Sequence, residues 1–108
     1  MTGKEKRAQA PYYAVIFTSQ RTEGDNGYGH MAQVMEDLAS KQKGFLGMES
    51  ARDSGLGITV SYWESLHDIK SWKENAAHVA AQEKGKAIWY KNYNVRICKV
   101  EREYSFEM

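Results

Sequence analysis

The apolar positions of the chain change period as they run, and each change marks an element. "YYAVIFTSQR", Tyr12 to Arg21, sets aromatic and β-branched residues between polar flanks, which predicts a well-buried first strand. After the breaker "TEGDNG", Tyr28, Met31, Ala32, Met35, Leu38 and Ala39 fall at i, i+3, i+4, i+7, i+10 and i+11, one apolar stripe of a helix. Asp25 or Asn26 is placed to cap that helix and Gly44 to stop it. "FLGMESARD" and "GITVSYWE" flank Ser54 and Gly55, which predicts a hairpin over Phe45 to Arg52 and Gly57 to Glu64. Ser65 opens the next helix with Asp68 as a near capping box, and Leu66, Ile69 and Trp72 form its inner stripe. The helical pattern restarts near Ala76 and runs to Tyr90, either continuous with the preceding piece or offset by a kink. "YNVRICKVEREYSF", Tyr93 to Phe106, alternates as a long last strand, with Val95 and Ile97 on one side and Cys98, Val100 and Tyr104 on the other.

The order is βαββαβ, the split βαβ unit of ferredoxin-like folds, so the expected class is α+β with a four-stranded antiparallel sheet. Right-handed crossovers put both helical segments on one face of that sheet. The other face is left bare, with apolar and aromatic side chains on it, and a second copy of the chain is the economical cover. A homodimer through the open sheet face, a dimeric α/β barrel, is therefore expected, with the long last strand reaching toward the partner.

At 108 residues the chain has the size of one domain, expected over residues 12–108, behind a polar tail of residues 1–11. With 15 Lys and Arg against 14 Asp and Glu and no long single-sign run, nothing points to nucleic acid or to a membrane surface. Cys98 is the single cysteine and His the rarest charged type, at 3, which excludes a disulfide and leaves too few ligands for a structural zinc site. No targeting segment or membrane span is visible, so the expected setting is reduced and cytoplasmic.

Chemistry concentrates in "YWESLHDIKSWKENAAHVAAQEKG". His78 shares a helical stripe with Ala81, Gln82, Gly85 and Trp89, whose small members leave room for it to act as a proton acceptor near neutral pH. The plainer reading is a helix histidine bonded to a neighbour; His30 and His67 lie off the apolar stripes, as surface residues. Trp63, Trp72 and Trp89 could wall an aromatic pocket or simply build the core of a domain short of large aliphatics. Tyr62, Tyr90 and Tyr93 could donate phenolic hydrogens to a bound anion. Arg96, mid-strand, needs a partner, either a substrate oxyanion or Glu49 or Glu101. Cys98 reads as a small buried hydrophobe.

Over nearly all of Tyr12 to Phe106, on "YYAVIFTSQRTEGDNGY", "GFLGMESARD", "GITVSYWES" and "WYKNYNVRICKVEREYSF", the chain resembles the antibiotic biosynthesis monooxygenase family of dimeric α+β barrels. It looks closest to a branch of small bacterial proteins. The resemblance implies a pocket between sheet and helices in each subunit. It also implies two activities found in the wider family. One is oxidation of polycyclic phenols to quinones without a cofactor, in which an apolar cavity, a proton acceptor and anion-holding donors suffice. The other is haem degradation, with an axial histidine, a ring-distorting tryptophan and a first-strand asparagine. Trp63 and Trp72 have the nine-residue spacing of the second branch, Trp72 in the ring-distorting place. Gln82 stands where the axial histidine belongs, His78 lies one turn earlier, and the first strand offers only Thr18, Ser19 and Gln20. The expectation is thus a monooxygenase-type enzyme without resident cofactor or metal, acting on a small aromatic or quinol-like compound. His78 would be catalytic, and Trp63, Trp72, Gln82, Trp89, Arg96 and Tyr62 would contact the substrate. The alternative is a non-catalytic dimer that binds a small molecule or haem; a third is a self-filled pocket in an assembly unit.

Overall fold

A computed structural model describes residues 9–108. Most of the expected polar tail, its first eight residues, lies outside the described residues. The elements run β1 (Tyr12–Arg21), α1 (Tyr28–Ala39), β2 (Phe45–Arg52), β3 (Gly57–Trp63), α2 (Leu66–Lys73), α3 (Ala76–Lys84), a π-helical turn (Gly85–Trp89) and β4 (Tyr90–Val100). The strands form one antiparallel sheet in the order β2-β3-β1-β4. This is the ferredoxin-like α+β fold expected from the element order.

Local chemistry explains most boundaries. Gly27, in the left-handed conformation, is the residue before α1 and has no side chain to cap with. Asp25 does the capping from two residues earlier, its carboxylate accepting the amide hydrogens of Gly27 and Gly29 at 3.0 and 3.1 Å. At the far end α1 closes at Ser40 rather than at Gly44, and three more residues descend through turns before Gly44. Gly44 has a φ of 84° and lies so close to Asp68 that any side chain would collide with the carboxylate, so it directs the chain into β2. The Ser65 hydroxyl caps α2 by accepting from the Asp68 amide at 3.0 Å and donates to the Asp68 carboxylate at 2.9 Å. The capping box is therefore closed through the hydroxyl, because Asp is too short to return to the backbone of Ser65.

Two expectations about the last third change. The helical run from Ala76 ends at Lys84, and a π turn, not α-helix, carries the chain to Trp89. Strand β4 then starts at Tyr90 and stops at Val100, short of Phe106. The reason is its partner: Val100 pairs with Tyr12, the first residue of β1, and beyond it no strand remains to pair with. Cys98, expected to be buried, is exposed. It alternates with Ile97 onto the face that carries no helix.

Register fixes the two faces. Tyr13, Val15, Phe17 and Ser19 lie opposite Trp63, Ser61, Thr59 and Gly57, and on β2 Phe45, Met48 and Arg52 share that side. Trp72 of α2 stacks on Trp63, and Tyr28 of α1 meets Tyr90, so this is the face the helices cover. Ala14, Ile16, Ile58, Val60, Tyr62, Arg96 and Cys98 share the other face, with Ile58 still 41% exposed.

Candidate functional site

One end of the helix-covered face is an aromatic stack. Trp63 is completely buried; its indole N–H donates to the Ser61 hydroxyl at 2.9 Å, and the edge of Phe45 meets its ring. Trp72 lies nearly parallel to it at 6.4 Å, and the His78 imidazole lies flat on Trp72 at 4.5 Å.

The break between α2 and α3 makes this possible. Asn75 caps α3 by accepting from the amides of Ala77 and His78, while its own amide hydrogen closes the end of α2 on the Trp72 carbonyl at 3.0 Å, which has a second lone pair to offer. The Trp72 carbonyl takes His78 Nδ1 at 3.1 Å. A carbonyl oxygen only accepts, so the hydrogen sits on Nδ1, and a neutral His78 keeps the lone pair of Nε2 free. Burial holds the imidazole pKa below its ordinary 6.5; the bond to the Trp72 carbonyl pulls upward and the nearby Lys73 charge downward. At neutral pH the ring is an unprotonated base.

The other candidates do not join this stack. Gln82 follows one turn later on α3, half-buried. The space expected beside the stripe at Gly85 is filled by the Tyr90 ring, which a side chain at Gly85 would meet at 2.9 Å. Trp89 is buried at the far end, its indole N–H donating to the Asn26 carbonyl at 2.9 Å and its ring set edge-on to Tyr28. Tyr62 and Arg96 point to the bare face. There the Tyr62 phenol donates to Glu49 at 2.8 Å, a bond that raises the phenol's pKa and occupies one of the carboxylates foreseen for Arg96. Three tryptophan-centred expectations thus divide: Trp72 meets His78 with Trp63 stacked on Trp72, and Trp89 serves packing elsewhere. His30 and His67 are exposed, as expected.

Sequence reading passed over a second cluster, at the opposite end of the same face. Ser19 and Gly57 face each other, and the Arg52 guanidinium lies across Gly57 to donate from Nη2 to the nearly inaccessible Ser19 hydroxyl. Arg21 stacks its guanidinium on the Tyr28 ring at 3.7 Å, and Arg52 lies 5.9 Å from the same ring. Tyr90 touches Tyr28, Phe17 and Tyr93 through its ring. Burial and a hydrogen bond with the Tyr28 phenol push the Tyr90 pKa well above its ordinary value, against the pull of both guanidiniums. The signal was present in the hairpin: a four-residue connection after Arg52 sets it opposite Gly57, where a long side chain can lie across the strand.

Nearby, Lys86, Tyr90, Lys91, Asn92 and Tyr93 line a shallow concavity of about 270 Å³, which neither His78 nor Trp72 touches. Among the described residues there is no group of three or more His, Cys, Asp and Glu able to hold a metal, and no helix long and apolar enough to cross a membrane.

Comparison with known proteins places this arrangement. Residues 29–84 match the family described as antibiotic biosynthesis monooxygenase. A Bacillus subtilis (strain 168) protein, the uncharacterized YqjZ, is 50% identical over 103 residues, covering 94% of this chain and 90% of that protein. This chain belongs to the antibiotic biosynthesis monooxygenase family. Its fold recurs in solved structures at far lower identity. Rv0793 from Mycobacterium tuberculosis has a TM-score of 0.77 at 10% identity, over 87% of this chain and 99% of that one. A variant of SnoaB, a cofactor-independent oxygenase from Streptomyces nogalater, has a TM-score of 0.76 at 7% identity, over 87% and 97%. Family membership was legible from the quoted segments, and the comparisons bear it out along with the fold.

Proposed function

We propose that the chain is a monooxygenase-type enzyme that works without metal or flavin on a small aromatic or quinol-like compound. His78 acts as the proton acceptor, and Trp72 is the wall against which the substrate ring lies. The observation that carries this reading is the locked imidazole: Nδ1 held by the Trp72 carbonyl, the ring flat on the indole, and Nε2 left as a free base at neutral pH. Removing a phenolic proton makes the substrate electron-rich enough to reduce oxygen itself. The net reaction balances without a further reductant, since one phenol and one O2 give one quinone and one water. The likeness to an oxygenase described as cofactor-independent supports the absence of a helper group. The protein works in the cytoplasm as a homodimer closed over the bare sheet face, where Ile58, Tyr62 and Arg96 then meet the second copy.

Oxygen uptake with a panel of naphthols and dihydroxynaphthalenes tests the reading. The His78→Ala variant is expected to lose turnover by ~10²–10⁴-fold, the usual contribution of a positioned base, while tryptophan fluorescence reports unchanged binding. Binding by the unaltered protein with no oxygen uptake above background would replace this reading by the non-catalytic one. A Soret band on haem addition that is lost in His78→Ala would do the same in favour of haem, for which Gln82 offers no imidazole at the family's axial position.

A further inference from the structure

Arg52 is an exposed strand residue whose guanidinium lies back across the sheet face and makes no ion pair among the described residues. Gly57 gives it room, because any side chain at that position would occupy the place of the guanidinium. Only Nη2 is used, on the neutral hydroxyl of Ser19. The nearest carboxylate in sequence, Asp53, accepts from the amides of Gly55 and Leu56 at 2.7 and 2.9 Å; its pKa is lowered first by those bonds and less by the Arg52 charge, with which it forms no ion pair. Glu49, on the same strand, faces the opposite side and holds Tyr62. Arg21 adds a second positive charge on Tyr28, and its own hydrogen bonds go to the neutral carbonyls of Trp89, Gly24 and Asp25. The described residues thus bring two guanidiniums and two phenols to one end of the sheet, and neither guanidinium makes an ion pair there, the carboxylates of Asp53 and Asp25 being held by backbone amides. A planar fork with free N–H groups beside phenolic donors is the chemistry that holds a carboxylate. Tyr90 also borders the concavity it shares with Tyr93, Lys86, Lys91 and Asn92, where a flat ring can lie against two tyrosines.

We propose that the Arg52 end of the helix-covered face, with Ser19, Tyr28, Arg21 and Tyr90 around it, is a binding site for an aromatic carboxylate. The carboxylate is held by Arg52, and the ring lies on the tyrosines. Arg21 is a positioning residue here, since its hydrogen bonds fix the loop before α1. The site stands on binding alone and does not depend on turnover at His78, whose stack lies at the other end of β3.

The test compares 2-naphthoate with 2-naphthol, matched in ring and different in charge, by calorimetric titration at low salt. The unaltered protein is expected to prefer the naphthoate by at least about tenfold. Arg52→Gln removes the preference, and Arg52→Lys, which keeps charge but not the fork, retains only part of it. Gly57→Ala keeps every charge and displaces the guanidinium, so it also removes the preference; it decides the matter if Arg52→Gln fails to fold. The Lys41→Gln/Lys43→Gln double variant, at two exposed lysines between α1 and β2, keeps the preference. Equal affinity for the two ligands in the unaltered protein overturns the proposal. So does a preference that survives Gly57→Ala, or one that disappears with the two lysines, which would make it surface charge alone. If naphthoate binds as expected but no naphthol is ever oxidised, the site stands and the enzymatic reading falls.

Discussion

The two ends of one sheet face use aromatic residues in opposite ways. At the Trp63 end two polar ring atoms are answered from within: Trp63 Nε1 by Ser61, His78 Nδ1 by the Trp72 carbonyl. At the Arg52 end, phenols and guanidiniums gather, and neither guanidinium is ion-paired to a carboxylate among the described residues. The ends are separated by the run of β3 from Gly57 to Trp63, seven residues, ~20 Å of strand at about 3.3 Å per step. Where ring donors are consumed inside, the aromatics are mainly core, with one free lone pair, Nε2, left over. Where charge lacks a counter-ion, the cluster reads as a place for a ligand.

The largest effect expected on this comparison comes from Trp63→Ala. A fully buried indole that stacks on Trp72 and meets Phe45 cannot be removed without leaving a cavity, so the cost should be ~3–5 kcal/mol. Against a typical total stability of about 5–15 kcal/mol, chemical denaturation would show a much lower midpoint. A loss below about 1 kcal/mol would mean that the stack is loosely packed and that the division between core and site is drawn in the wrong place.

Next in size is Gly44→Ala, which tests what supports the Trp63 end from beneath. A left-handed φ costs an L-residue roughly 1–3 kcal/mol, and here the new methyl also displaces the buried Asp68 from the Ser65 hydroxyl. The same thermal or urea midpoint measures it. No change in midpoint would show that the loop after α1 yields freely, and with it the start of α2.

How far the sequence spoke can be judged from these residues. Period and turn chemistry placed β1 and the hairpin almost to the residue, because those signals are local, whereas α1 closes at Ser40, before the Gly44 expected to stop it. Of the two continuations left open before Ala76, the offset is the one found, with Asn75 capping the second helix. What failed needed partners distant in sequence. The end of β4 depends on where β1 begins, and the room imagined at Gly85 is taken by Tyr90, a ring aimed there by the π turn. Tyr62 and Arg96 were grouped with His78 by type, but alternation along β3 and β4 put them on the other face. Arg52 escaped notice because its significance lies in the glycine opposite, across which its guanidinium lies, and that pairing is set by register rather than by local sequence.

A smaller effect comes from the joint that makes the His78 end possible. Asn75→Ala removes a side chain that accepts from two amides at the start of α3, worth about 1 kcal/mol in a typical cap. It should also loosen the angle that carries His78 onto the Trp72 carbonyl. The His78 imidazole would then titrate closer to its ordinary value, read by proton NMR. A cap loss that costs stability but leaves the histidine titration unmoved would separate helix capping from the positioning of the base.

The smallest effect, and the one that compares the ends directly, is the pH dependence of stability. His78 has its pKa lowered in the fold, so between that depressed value and 6.5 the unfolded chain holds a proton that the folded chain does not. Stability from this group is present above 6.5 and is lost as pH falls through that window. Tyr90 behaves in the reverse sense. Its pKa is raised in the fold, so above the ordinary 10.0 the unfolded chain has already released a proton that the folded one keeps. Stability is then present below 10 and lost as pH climbs. The Trp63 end should therefore set an acid shoulder and the Arg52 end an alkaline one. Urea denaturation across pH reads both: His78→Phe should flatten the acid side only, and Tyr90→Phe the alkaline side only, where Tyr62 leaves a residue of the slope. If either substitution flattened both shoulders, the two ends would be coupled through the sheet, and what binds at Arg52 would be felt at His78.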